Sequence, residues 1–247
     1  MRWTYTAGWR DSKWRSGRQA LREKGVFYVL RVAALWAASP LWRPWLRAFP
    51  RTFRFRSKVY PYFIHNHNLT WSNERAVEVP IARAVIAEHR GRRILEVGNV
   101  LSYYGELPAG TEILDKFEVG PGIRNEDVAT FRSDTLYDLI VSVSTLEHVG
   151  WDEEPKEPGK ILRAVANLTN HLAPGGRLIV TLPLGYNTDM DALLARDTIP
   201  FTHRWCLKRR GLCTWEESSW EEIAGSPYAE GWPGARGLVI GVVERAG

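Results

Sequence analysis

Apolar positions change their spacing along this chain at about residue 93. Upstream they recur at helical intervals, and downstream they gather into short β-branched runs. Residues 19–38 (QALREKGVFYVLRVAALWAA) read as helical from about Phe27, and Pro40, Pro44 and Pro50 then cut the chain into short pieces. Residues 59–71 (VYPYFIHNHNLTW) form an aromatic stretch rich in Asn and His that predicts a loop. Ser72 is placed to cap a helix running to about His89, kinked near Pro80 and ended by Gly91. From Arg93 the order becomes strand, loop, strand: RILEV (93–97), TEILD (111–115) and YDLIVSV (137–143). A helix over 160–172 has Ile161, Val165, Leu168 and Leu172 on one face, with Pro174-Gly175-Gly176 as its stop. RLIVTL (177–182) and GLVIGVV (237–243) are two more buried strands. Strands alternating with helices predict an α/β fold, a doubly wound and mostly parallel Rossmann-like sheet with ligands at the carboxyl ends of its strands.

Composition adds an asymmetry. Up to Lys58 there are 14 Lys/Arg and two acids, a net +12, whereas the remainder is net −7. Seven of the twelve tryptophans (Trp3, Trp9, Trp14, Trp36, Trp42, Trp45, Trp71) fall by residue 71. The expected organisation is therefore a basic, Trp-rich arm (1–58), a lid loop and helix (59–92), and a catalytic-type α/β body (93–247). Residues 1–18 show no period. The apolar run Val32–Trp42 is about half the roughly 20 residues a membrane span needs, so it could lie on a bilayer but not cross one. Three partners suit the arm: an anionic membrane, a nucleic acid, or the acidic body itself. The clustering of Trp36, Trp42 and Trp45 beside Leu41 and Leu46 favours the membrane. The first twenty residues lack a secretory pattern and only two cysteines occur, which predicts a cytoplasmic protein, peripheral on the inner membrane face.

The stretch ILEVGNVLSYYG (94–105) carries the candidate chemistry. A dinucleotide fingerprint needs three glycines, and only Gly98 stands in place; no Gly-Lys-Ser/Thr loop for phosphate occurs either. A ligand without phosphates needs less: one tight turn, backbone N–H groups, and carboxylates for hydroxyls and amines. Four segments in order resemble the class I S-adenosylmethionine-dependent methyltransferases. RILEVGN resembles their first motif and EILDKFE their second. YDLIVSVSTLEHV resembles the fourth-strand signature, and NHLAPGGRLIVTLP the segment before strand five. The resemblance covers about residues 90–185 and departs from the family where Gly-x-Gly is reduced to Gly98-Asn99-Val100. It also departs in leaving room for a first helix of two turns at most.

The resemblance implies S-adenosyl-L-methionine as cofactor, with Glu96, Gly98, Asn99, Asp115, Glu126, Asp127 and Ser144 around it. Asp115 would take the ribose hydroxyls, and Glu126 or Asp127 the adenine amine. It also implies methyl transfer to an oxygen or nitrogen. His148 is the candidate base, since an imidazole titrates near neutral pH, and Glu147 would orient it; the alternative is that Leu146-Glu147-His148 is structural. His65, Asn66, His67 and Trp71 in the lid, and Tyr186 and Asn187 after strand five, are candidate substrate contacts. Asn and His suit hydroxylated compounds and aromatic rings stack on sugar faces, so a small-molecule, saccharide or lipid-linked acceptor is expected. RNA is disfavoured because no Asn-Pro-Pro-Tyr-type motif follows strand four. His203, Cys206 and Cys213 lack a fourth ligand at zinc spacing, so no metal is expected. A non-catalytic binding protein on the same fold is the rival reading, favoured by Val100.

Overall fold

The structure is a computed structural model that describes residues 25–27, 29–35, 37, 38, 40, 41, 44, 48, 51–65, 67–229 and 233–247. The expectations for residues 1–18, Trp36, Trp42, Trp45, Leu46 and Asn66 therefore lie outside the described residues. The described residues between 25 and 48 are helical. No helix among the described residues is long and apolar enough to cross a membrane.

An eight-stranded sheet runs β5 (Ile123–Arg124), β4 (Glu112–Leu114), β3 (Ile94–Val97), β6 (Tyr137–Val143), β7 (Leu172–Pro183), β10 (Gly237–Glu244), β8 (His203–Gly211), β9 (Thr214–Ser218). The five strands from β5 to β7 are parallel, and β10, β8 and β9 continue the sheet antiparallel. Within the five parallel strands chain order grows outward from β3 in both directions, so the winding reverses between β3 and β6; β10 then inserts between β7 and β8. Ligands bind at such a switch point, beyond the carboxyl ends of the strands.

Both faces are covered. Helix α1 (Arg75–Glu88) and the hairpin β1 (Thr52–Phe55)–β2 (Lys58–Pro61) pack on one, with Leu139, Val141 and Val143 of β6 beneath them. Helix α2 (Lys160–Asn170) packs on the other through Ile161, Ala164, Val165 and Leu168, and α3 (Thr188–Ala195) adds Met190 and Leu194. A short helix α4 (Trp220–Ile223) follows β9. The central strand β6 is apolar on both sides because both sides are buried.

Several local expectations are corrected. Ser72 does not cap α1: its hydroxyl donates to Leu69 O, and the helix starts at Arg75 after Glu74 without a side-chain cap. The stretch from 59 opens as β2, paired with β1, because Phe53 and Phe55 find a buried face under the hairpin. Pro174-Gly175-Gly176 lies inside β7 and does not stop the helix, which has already ended at Asn170. Helix α1 runs on through Pro80. The proline has no N–H to offer Ala76 O, and Phe63 N–H occupies that carbonyl at 2.9 Å. The interruption in the helix thus becomes the dock for the lid segment. The expected shortness of the first helix holds: a single 3₁₀ turn, Leu101–Tyr103, follows β3.

Leu139 sits at the centre of β6 with no exposure. Leu139→Ala is expected to lower the unfolding free energy by about 2–5 kcal/mol. Chemical denaturation measures this, and a cost under about 1 kcal/mol would contradict the packing described.

Candidate ligand cleft and its neighbours

A cavity of about 520 Å³ opens at the carboxyl ends of β3, β4, β5 and β6. Of the residues expected around a ligand, Gly98, Asn99, Asp115, Glu126, Asp127 and His148 line it together. Its walls also include Val97, Leu114 and Val128, an apolar slot fit for a flat ring.

The loop after β3 explains how one glycine suffices. Gly98 has φ +82°, and a Cβ there would stand 2.1 Å from Thr145 Oγ1, so no other residue fits. The next amides are all bonded within the protein. Gly98 N–H donates to Leu114 O (2.8 Å) and Asn99 N–H to Asp115 Oδ2 (3.2 Å). Val100 and Leu101 N–H both donate to Glu96 Oε1 (2.9 and 2.7 Å). Such a loop offers no free amides to a phosphate, unlike an anion-binding nest. Glu96 is accordingly buried beneath the loop and does not line the cavity; burial pushes its carboxyl up to about 7, against the two amides that hold it down.

Asp115 does double duty at the end of β4. Besides Asn99 it accepts the amides of Phe117 (2.8 Å) and Glu118 (2.7 Å), folding the rim of the cleft. Glu118 was not singled out from sequence, yet it faces the cavity and accepts from Asn99 Nδ2 (2.7 Å) and Tyr103 Oη (2.8 Å). Its only sequence signal is its place three residues after Asp115. Asp127 is held by Lys116 (2.8 Å) and Lys160 (2.5 Å), which both also reach Glu153. Burial opposes its charge, but the two ammonium groups win and hold it down to about 2. Glu126 pairs with Arg124 at 2.7 Å, which lowers its pKa.

At the other end of the cavity, His148 Nδ1 lies 2.6 Å from Asp152 Oδ2, which also accepts Tyr186 Oη at 2.6 Å. The Tyr186 ring stands edge-on to His148, with centroids 4.7 Å apart. Burial works against the imidazolium, but Asp152 and Glu147 outweigh it, and the His148 pKa is raised above 6.5. Asp152, in turn, is lowered despite its partial burial by the bonds from His148 and Tyr186. Glu147 is buried behind His148, 3.8 Å from Nε2, and burial pushes it up to about 7. Asp152 was missed from sequence; its signal was the i, i+4 spacing from His148.

The remaining candidates serve the surroundings. Ser144, at φ +39°, bonds buried Glu78 at 2.5 Å and does not line the cavity. Glu78 also pairs with Arg75 at 3.0 Å, an ion pair that raises the arginine pKa further although burial opposes it. Asn187 caps α3 through Met190 N–H and donates to Glu147 O, tying that helix to the His148 turn. Trp71 is buried with Leu69, against Leu35 and Ile64. His67 stacks on Tyr103 (4.6 Å, 5°), and His65 meets Tyr104 edge-on at 5.5 Å, so the lid loop lies against the loop after β3. Cys206 and Cys213 are buried free thiols in the cores of opposite sheet faces, and His203 is exposed.

No family model and no curated protein sequence matches the chain. Among solved structures it is similar to the N-methyltransferase NodS from Bradyrhizobium japonicum WM9 in complex with S-adenosyl-L-homocysteine. That likeness has 15% identity, covers 70% of this chain and 87% of the other, and has a TM-score of 0.44. It is similar to the sugar N-methyltransferase KedS8 from Streptoalloteichus sp. ATCC 53650 at 14% identity, over 80% and 98% of the two chains, with a TM-score of 0.38. A TehB-like SAM-dependent methyltransferase from Corynebacterium glutamicum is similar at 18% identity, over 67% and 86%, with a TM-score of 0.39.

A carboxyl whose folded pKa lies above its unfolded value of 4.5 binds more protons in the folded state, so its contribution falls as pH rises from 4.5 through about 7. Glu147→Gln is therefore expected to flatten the loss of stability across that window. Melting temperatures between pH 4.5 and 8 check this, and an unchanged slope refutes it.

Proposed function

We propose that this protein is an enzyme that transfers a methyl group from S-adenosyl-L-methionine to an oxygen or nitrogen of a polar small molecule or saccharide, lipid-linked acceptors included. One observation supports the cofactor above all. The lining of the cleft at the switch point carries five carboxylates, of which Asp127 and Glu153 pair with Lys116 and Lys160 and Glu126 pairs with Arg124; Asp115 and Glu118 keep no cationic partner among the described residues, beside a loop whose amides are already bonded. Such a site suits a cationic nucleoside without phosphates and disfavours a dinucleotide. The same reading puts the enzyme in the cytoplasm, at the inner face of a membrane.

The cofactor, when bound, supplies a methyl group already activated on a sulfonium. Asp115 and Glu118 retain acceptor capacity for ribose hydroxyls, because a carboxylate can accept about four hydrogen bonds. Val97, Leu114 and Val128 enclose the adenine ring, and Glu126 accepts from its amine; Asp127 is committed to its two lysines. His148 takes the acceptor's proton at Nε2. The lowered Asp152 carboxylate fixes the tautomer by accepting from Nδ1, and Tyr186 Oη fixes Asp152. Tyr186 and the lid histidines form the polar, aromatic surround for the acceptor.

Calorimetry with S-adenosyl-L-homocysteine is expected to show micromolar binding, weakened about ten-fold or more by Asp115→Asn and abolished by Gly98→Ala. No heat at millimolar ligand would leave the binding-protein reading in its place. A second expectation concerns pH. The acid limb of kcat/KM follows His148 and lies above pH 6.5, since the neutral imidazole is the active form. Asp152→Asn should move that limb to lower pH and reduce kcat; a limb that stays put refutes the dyad.

A further inference from the structure

The helical residues between 25 and 41 carry an apolar stripe with no cover among the described residues. Phe27 is 86%, Leu30 60% and Leu41 80% exposed. With Ala34, also exposed, they follow one another at i, i+3, i+7 and i+14, which puts them on one side of a helix. Leu35 faces elsewhere, into contact with Leu69 and Trp71 of the lid loop. The stripe is therefore presented outward by a helix seated on the lid. An isolated exposed leucine would call for no explanation; four apolar residues in register do.

Charge selects the occupant. The stretch to Lys58 that contains the stripe carries net +12, whereas a second copy would bring the same charge and repel it. We propose that Phe27, Leu30, Ala34 and Leu41 are an in-plane anchor that inserts into an anionic lipid bilayer, with the surrounding Lys/Arg held at the headgroups. Apolar side chains supply depth and the basic residues supply attraction, the two signals that stable peripheral binding needs. Because the helix rests on Leu69 and Trp71, docking brings the lid loop to the membrane side. The proposal goes beyond methyl transfer and does not require it, since lipid binding needs no cofactor.

The test is flotation of the full chain with vesicles of phosphatidylglycerol and, in parallel, of phosphatidylcholine. Flotation with the anionic vesicles only, reduced by about ten-fold or more in the pair Phe27→Glu, Leu30→Glu, is the expected result. Raising salt should weaken it, because the headgroup attraction is screened. Hydrogen exchange on the unaltered protein keeps the test independent of how the variant folds: residues 25–41 should exchange more slowly once anionic vesicles are added. Absent flotation, equal flotation of the variant pair, or unchanged exchange in that segment each overturns the proposal. A concentration-dependent dimer that the variant pair dissolves would instead assign the stripe to a second copy.

Discussion

The ligand edge of this protein depends on one constraint: the chain leaving β3 must bury a tight turn without orphaning its amides. A buried N–H without a partner costs about as much as a lost hydrogen bond. The turn meets the requirement from below, with Glu96, and from the side, with Leu114 and Asp115. Because the four amides are satisfied within the fold, the loop has its shape before any ligand arrives. Gly98 is then the one position where the backbone and the Thr145 side chain exclude a Cβ. A second and third glycine, needed where a pyrophosphate must approach the backbone, are not required. The reduced motif suits a ligand that brings no pyrophosphate to the loop.

The same carboxylates that shape the cleft set its electrostatics. Asp127 and Glu153 are neutralised by Lys116 and Lys160, closing one wall with a four-membered ion-pair network. Among the described residues, Glu118 faces the cavity with neutral hydrogen-bond donors, Asn99 and Tyr103, on Oε1. Deeper in, Glu96 and Glu147 have no cationic partner at salt-bridge distance among the described residues, other than the His148 ring near Glu147, and burial raises both to about 7. A carboxyl removed from water without a counter-charge takes up a proton more readily than it keeps its charge. Acids of nearly equal sequence character thus act differently: some as anions lining the cleft, and Glu96 as a hydrogen-bond acceptor under the loop.

Above this edge, the aromatic lid joins the two halves of the chain. His67 on Tyr103 and His65 against Tyr104 couple the segment before α1 to the turn after β3. Phe63 closes the other end of that segment on the carbonyl that Pro80 leaves free. The arm helix reaches the body through Leu35 on the same loop. The turn after β3 and the arm helix therefore contact one structural element.

The periodicity of the sequence determined four of the five parallel strands, and β10 beside them. RILEV, TEILD, YDLIVSV and RLIVTL are strands because each is apolar enough to be buried on both faces, and α2 follows from one apolar stripe. The cleft-lining Gly98, Asn99, Asp115 and His148 were legible because they sit at the carboxyl ends of those strands. Only the tertiary structure decided β8 and β9 and the antiparallel pairing of that side. HRWCLKRRG and TWEES carry too many charges to read as strands, and they pair because β10 and Tyr62, bonded to Trp215, give their edges a partner. Tertiary contact likewise made Asn187 a cap, Trp71 a core residue and Glu96 a support under the loop, and it brought Glu118 and Asp152 to the site. Each of those roles depends on which groups meet across distant segments, a relation that local spacing in the chain does not encode.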